Sequence, residues 1–263
     1  MDTLVYLYGI VPADAPEPPP ELPGLEDRPV RLVRAGGVAA VVSDVPAAAY
    51  GDAALEAHLG ELEWVGLRGL AHERVVDWFA ERGPVLPLSL FSLHADEARV
   101  AERLRGDAER YAALLESVRG RREWGVKLWR IESRFAEHID ELSPALRALA
   151  AEMEQAPPGR RFLLAKKRDA LRADEMKRLA ARVAHQVFSS LRDRADAATA
   201  TPSPSTTPGD RVLALDGSFL VRNEEYGAFQ QRLGELAREL TPVGFDFEFT
   251  GPWPPYHFVT SDG

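Results

Sequence analysis

At 263 residues the chain exceeds what one hydrophobic core commonly serves, and 45% hydrophobic with 28% charged residues is globular composition, so two domains of roughly 100–150 residues are expected. The net charge of -9 argues against a general binder of nucleic acid or anionic membrane, though a local basic face stays open. The absence of cysteine removes disulfides, thiolate metal sites and a cysteine nucleophile and agrees with a reducing cytosol; no apolar run approaches the ~20 residues of a spanning helix and no basic region precedes the first apolar stretch, so a soluble, unprocessed protein is expected.

Residues 4–11 are apolar on both faces and rich in β-branched and aromatic side chains, as a central strand should be. Pro12, Pro16, Pro18, Pro19, Pro20 and Pro23 make 12–29 a surface loop, with a weaker reading as a Pro-x-x-Pro ligand. Residues 30–34 and 38–42 alternate about Gly36-Gly37, a two-residue hairpin signal, and no Gly-Lys-Ser/Thr follows that would make a phosphate loop. From Asp52 to Glu81 the positions Leu55, Leu59, Leu62, Leu70, Val75, Val76 and Phe79 keep helical spacing, interrupted near Gly66 and Gly69, which predicts one long or two consecutive helices. Gly83-Pro84 stops them. Residues 85–91 read as a strand whose Pro87 implies an edge position or a bulge. One further helix over about 95–118, with Val100, Leu104, Tyr111 and Leu115 on a stripe, completes an α+β domain over 1–119.

The boundary falls near Gly120. Residues 124–131 predict a strand; Phe135, Ile139, Leu142, Leu146 and Leu149 predict a helix that breaks and restarts at Ser143-Pro144. Pro157-Pro158-Gly159 is a turn, 161–168 a strand, and Met176, Leu179, Val183, Val187 and Leu191 the next helix. Residues 195–210 hold too little apolar surface to order themselves and are expected to be flexible. A strand at 211–221, a helix through Phe229, Leu233 and Leu236, and a strand at 243–249 follow. For 120–250 a ferredoxin-like domain is the leading architecture, while a doubly wound parallel sheet has the same linear order. In the tail, 251–263, Pro252, Pro254 and Pro255 withhold three donors, so the chain should leave the sheet as an extended arm with Trp253, Tyr256 and Phe258 docking on their own protein. A ligand for a proline-reading domain is the alternative.

Chemistry is sparse. His72-Glu73 begins like a zincin motif, but position 76 is Val76, not the second histidine. Ser218 lacks the nucleophile elbow because position 220 is Leu220, and the carboxylates fall mostly on polar helix faces. The expectation is therefore no catalytic, cofactor-binding or metal-binding residue. Asp96, beside His94, suits a helix start. Basic stretches at 119–122 and 166–168, with Arg172, Lys177 and Arg178, either form a solvated rim or steer an acidic partner. Trp124 and Trp129 flank Lys127 like a stacking platform, yet five residues apart they face opposite sides of a strand.

Taken in order, Tyr6–Val11 (YLYGIV), Val41–Pro46 (VVSDVP), His72–Val76 (HERVV), Val85–Leu88 (VLPL), Glu123–Leu128 (EWGVKL), Phe162–Lys167 (FLLAKK), Phe219–Val221 (FLV) and Thr250–Val259 (TGPWPPYHFV) resemble the gas vesicle protein F/L family across nearly the whole chain. After VLPL the family carries a run like Arg-Phe-Gly-Thr, whereas Ser89, Leu90, Phe91 and Ser92 stand here, so no role of that arginine carries over. The resemblance implies a non-enzymatic accessory protein of gas vesicle assembly, cytoplasmic and at the gas vesicle, without cofactor. It also implies an α+β N-terminal domain, a ferredoxin-like C-terminal domain and a tail returning to the first. Its members associate with the small hydrophobic shell protein and other accessory proteins during nucleation or growth. A partner of such a shell protein must cover apolar helices and strand edges. Val85, Leu88, Leu90 and Phe91, with the hairpin at 30–42, would offer that edge or groove, and Pro252, Trp253, Pro254, Tyr256 and Phe258 would clamp the domains. The competing readings are a small-molecule-binding protein or enzyme on tandem ferredoxin-like domains, which needs a pocket with converging polar groups, and a single-stranded nucleic-acid binder.

Overall fold

A strand that is apolar on both faces must be covered on both. In the computed structural model, which describes residues 3–201 and 209–259, β1 (Thr3–Pro12) lies inside an antiparallel sheet with helices on each side. The chain divides into two compact units, Met1–Glu123 with Pro252–Gly263, and Trp124–Gly251.

In the first unit β2 (Arg31–Ala35) and β3 (Val38–Pro46) form the expected hairpin, with Gly36 and Gly37 at φ +63° and +83°, where a two-residue turn needs left-handed backbone. β3 pairs with β1 from Thr3↔Pro46 to Pro12↔Val38, with an irregularity between Leu7 and Gly9. α1 (Ala47–Tyr50), α2 (Asp52–His58) and α3 (Leu62–Ala80) follow. The helix breaks at residues 59–61; Gly66 and Gly69 stay inside α3, because burial of Val75, Val76, Phe79 and Ala80 offsets the roughly 1 kcal/mol each glycine costs. Those side chains pack on Tyr6, Tyr8, Ala39 and Val41. Leu22 and Leu25, from the proline-rich stretch expected at the surface, are buried in the same cluster.

The strand expected at 85–91 is mostly not one. β4 (Leu86–Pro87) and β5 (Leu93–His94) are two residues each and both pair with β1, giving the order β2-β3-β1-β4. Pro87 sits at the sheet edge, where its missing N–H costs least. Gly9 admits β4, since a Cβ there would lie 2.9 Å from the Leu86 carbonyl oxygen. The expected single helix at 95–118 is two, α4 (Glu97–Gly106) and α5 (Ala108–Val118), broken at Gly106-Asp107. Asp96 caps α4 by accepting the Arg99 N–H at 2.8 Å. α4 packs on β2 and β3, and α5 on β1, β3 and β4, so the sheet is sandwiched.

The second unit is built from β6 (Arg121–Ile131, from Trp124 onward), α6 (Glu132–Leu142), α7 (Pro144–Gln155), α8 (Pro158–Arg192), β7 (Ala197–Thr201), β8 (Arg211–Arg222), α9 (Tyr226–Leu240) and β9 (Phe245–Trp253, up to Gly251), in the sheet order β7-β8-β6-β9. With α6 to α8 in the first helical place this is β-α-β-β-α-β, the ferredoxin-like arrangement. Two expectations are corrected. Residues 161–168 are the start of the 35-residue α8: Pro158 takes the first helical turn, and Leu, Ala, Lys and Arg are strong helix formers. Of the stretch expected to be flexible, residues 197–201 form β7, paired with β8 from Ala197↔Leu220 to Thr201↔Asp216. Its backbone finds a ladder although its side chains bury little; 202–208 lie outside the described residues. β9 also runs through Pro252, which an edge strand tolerates. Ser143 caps α7, its Oγ accepting the Leu146 N–H at 3.1 Å and donating to Glu175 Oε2 at 2.6 Å. Trp124 is buried, its ring centroid 4.4 Å from Tyr226 and 5.0 Å from Phe249.

Beneath α3 the first unit buries three polar rings. The Tyr8 hydroxyl lies 2.7 Å from Ser43 Oγ and accepts the Leu25 N–H at 2.7 Å. The Tyr6 hydroxyl accepts a long bond from the Phe91 N–H and lies 2.7 Å from His72 Nδ1. Burial drives the Tyr6 pKa up and holds that of His72 down at about 4, so at neutral pH both rings are uncharged and the phenol donates to the imidazole. Below pH ~6.5 the unfolded imidazole takes a proton that the folded one refuses until about pH 4. Stability is thus fully present above pH ~6.5 and lost as pH falls through that window, by about 3 kcal/mol from this group. Urea midpoints at pH 7 and 4.5 should fall further for the wild type than for His72→Gln, which keeps an acceptor for Tyr6 but does not titrate.

Candidate partner-binding site

The four residues expected to meet a partner separate on folding. Val85 and Leu88 are buried in the first unit, 2% and 6% exposed, and of the two Leu88 lines a cleft. Leu90 and Phe91 are half-buried and pack against the same core. Between β4 and β5 the chain turns on itself: Ser92 donates its N–H and its hydroxyl to the Ser89 carbonyl, at 3.2 and 2.8 Å. Phe91 sits in the left-handed region, φ +66°, with its ring against Trp64 at 5.4 Å between centroids. It occupies the third place of the departing run, where the resembled family carries glycine. A left-handed phenylalanine costs roughly 1–2 kcal/mol in backbone strain, which contact with Trp64 and Tyr50 offsets here.

Beside this turn a cleft of about 270 Å³ opens between the sheet edge and α4–α5. Leu7, Ile10, Leu88, Val100 and Leu104 form its apolar floor, and Ser89, Ser92, His94, Arg103 and Tyr111 its polar wall. Burial, then the Arg103 charge, lower the His94 pKa. Arg103 Nε donates to the Tyr111 hydroxyl at 3.2 Å. Sequence reasoning did not single out this cleft, though one signal was available: β1 is apolar on its second face and α4 carries a matching stripe. Among the described residues no group of three or more His, Asp or Glu could hold a metal ion, and no helix is long and apolar enough to cross a membrane.

The basic rim is largely engaged: Arg119 with Glu116 at 2.7 Å, Arg172 with Asp140 at 3.0 Å, and Arg178 with Glu175 at 2.7 Å. Trp129 donates Nε1–H to Glu248 at 3.1 Å and lies under Arg211, while Trp124 is core, so the two rings build no common platform.

Of the five residues expected to clamp, Pro254 is buried, Tyr256 and Phe258 are half-buried and Pro252 is exposed. Trp253 is 45% exposed, so the large loss expected for a fully buried ring does not apply to it. The firmest contacts are polar. Tyr256 donates to Glu73 Oε1 on α3 at 2.7 Å. His257 donates its N–H to Glu123 Oε2 at 3.0 Å and sets Nδ1 2.5 Å from Oε1. Burial raises the pKa of both Glu73 and Tyr256, so their bond sits in a poorly solvated place.

Two substitution series probe this geometry, each read by urea unfolding. Phe91→Gly should be more stable than Phe91→Ala by about 1 kcal/mol, since both lose the ring but only glycine relieves the strain. Tyr256→Phe should cost about 1 kcal/mol by stranding Glu73, and Trp253→Ala less than the roughly 3–5 kcal/mol of a buried ring.

Comparison with known proteins agrees with the sequence motifs. The family model described as gas vesicle synthesis protein GvpL/GvpF matches residues 4–260. Gas vesicle protein L of a Streptomyces species is 30% identical over 260 residues, 98% of this chain and 93% of that protein. Gas vesicle protein L1 of Halobacterium salinarum is 28% identical over 98% of this chain and 91% of its own length. The fold is similar to crystal structures of GvpF from Anabaena, TM-score 0.70, and from Microcystis aeruginosa, TM-score 0.65, each 19% identical, covering 99% of this chain and 100% of that one. A match that spans both units in one register leaves a single assignment: the chain belongs to the GvpL/GvpF family of gas vesicle synthesis proteins.

Proposed function

We propose that this protein is a non-enzymatic, cytoplasmic accessory factor of gas vesicle assembly that binds the small hydrophobic shell protein, and other accessory proteins, during nucleation or growth. Within the family assignment, the observation that carries this reading is the cleft beside Ser89–Ser92. A free shell protein must hide apolar surface reversibly, and a cleft with an apolar floor at the edge of a sheet can give such cover. Leu88, Ser89 and Ser92 line it, and the hairpin forms the opposite edge of the same sheet. The tail is tied to the first unit by Tyr256 on Glu73 and His257 on Glu123.

Co-expression of the tagged full chain with the shell protein tests it. Ser89 is exposed at the cleft, so Ser89→Trp fills the space without disturbing the core. Recovery of the shell protein should fall about ten-fold, ~1.4 kcal/mol, with the melting curve unchanged. Undiminished recovery removes the cleft from the interface, and failure of the wild type to recover any shell protein removes the partner.

A further inference from the structure

Among the described residues six large apolar side chains stand more than half exposed, in two patches. The first lies on and just before α3: Leu59, Leu62, Leu67 and Leu70, with Leu62 89% exposed. Leu62, Gly66 and Leu70 recur every four residues on one helix face, and a Cβ added at Gly66 would meet nothing within 4 Å. The glycine leaves a notch between two leucines where another helix can approach closely. The border is acidic. Between residues 52 and 70 stand Asp52, Glu56, Glu61 and Glu63 against one arginine, Arg68, which is turned to Glu26 at 2.6 Å, and His58, whose Nδ1 lies 3.1 Å from Glu61 Oε1.

The second patch is Phe162 and Leu163 at the start of α8, 61% and 65% exposed. Its border is basic: residues 158–168 hold five bases and no acid. Arg160 and Arg161 reach back to Glu152 and the Met153 carbonyl, whereas Lys166 and Lys167 follow one turn beyond Phe162 and Leu163, with Lys166 Nζ 5.0 Å from the Phe162 ring centroid. Apolar helix faces of this kind, rimmed by charge, mark docking surfaces.

We propose that the two patches are the complementary halves of one interface between copies of this chain, the α3 leucine face of one copy receiving Phe162 and Leu163 of the next. Like-with-like pairing would set acid on acid or base on base, so the borders select head-to-tail contact. Each contact leaves one patch open at either end, and the assembly extends into a ring or a filament. This inference is independent of the shell-protein reading.

Equilibrium sedimentation of the full chain tests it. The wild type should gain mass with concentration, beyond a dimer, and dissociate as salt is raised. Leu62→Glu with Leu70→Glu, and separately Phe162→Ser with Leu163→Ser, should each give monomers, all four sites being exposed. Mixed one to one, the two variants should form a heterodimer that stops at two chains. Lys166→Glu with Lys167→Glu should weaken self-association by about ten-fold, and adding Glu61→Lys with Glu63→Lys in the same chain should restore it. A wild type that stays monomeric, a mixture that forms no heterodimer, a leucine or Phe162/Leu163 variant that still self-associates, or a charge swap that fails to restore binding would each overturn the proposal.

Discussion

The first unit depends on burying β1 on both faces while its two tyrosine hydroxyls are kept bonded. A phenol without a partner in that core would cost several times what a satisfied one contributes. Tyr8 is answered by Ser43 on β3 and by the Leu25 N–H, and this draws the proline-rich connection inward instead of leaving it on the surface. Tyr6 is answered by His72 on α3 and by the Phe91 N–H. The same ring therefore positions the helix above the sheet and the turn at its edge.

That coupling explains why the turn at Ser89–Ser92 tolerates a phenylalanine in left-handed backbone. The Phe91 N–H is engaged by Tyr6, and its ring is held by Trp64 and Tyr50, so surrounding contacts over-determine a conformation that local preference opposes. The turn in turn borders the cleft, whose floor is the second face of β1. Core and candidate binding surface are thus two sides of one strand. α3 serves both as well: Glu73, next to His72, receives the tail through Tyr256.

In the second unit the controlling choice is helix over strand at the start of α8. Extending that helix back to Pro158 places Phe162 and Leu163 on a charged exterior, with only Leu164 of the three turned inward. The sheet instead recruits its edge strand from Ala197–Thr201, which has little to bury but a complete set of backbone groups to pair. Exposed apolar helix faces with charged borders are selective surfaces, because the charges restrict what the apolar groups can meet.

Much of this was legible in the sequence, because periodicity and special residues act locally. The central strand, the Gly36-Gly37 turn, the Ser143-Pro144 restart and the edge character implied by Pro87 follow from backbone constraints that hold in any context. The family could be read from motif order because the motifs recur along nearly the whole chain, in strands such as Tyr6–Val11 and in helices such as His72–Val76. Tertiary structure alone decided the rest. Whether 161–168 became helix or strand, how deeply Val85 and Leu88 are buried and how far Trp253 is exposed were settled by neighbours far away in the chain. Leu7 and Tyr111 line one cleft, and Tyr6 and His72 share a hydrogen bond, only because the fold brings together residues far apart in the chain. A short segment's own propensities differ by about 1 kcal/mol, and burial against distant partners outweighs that.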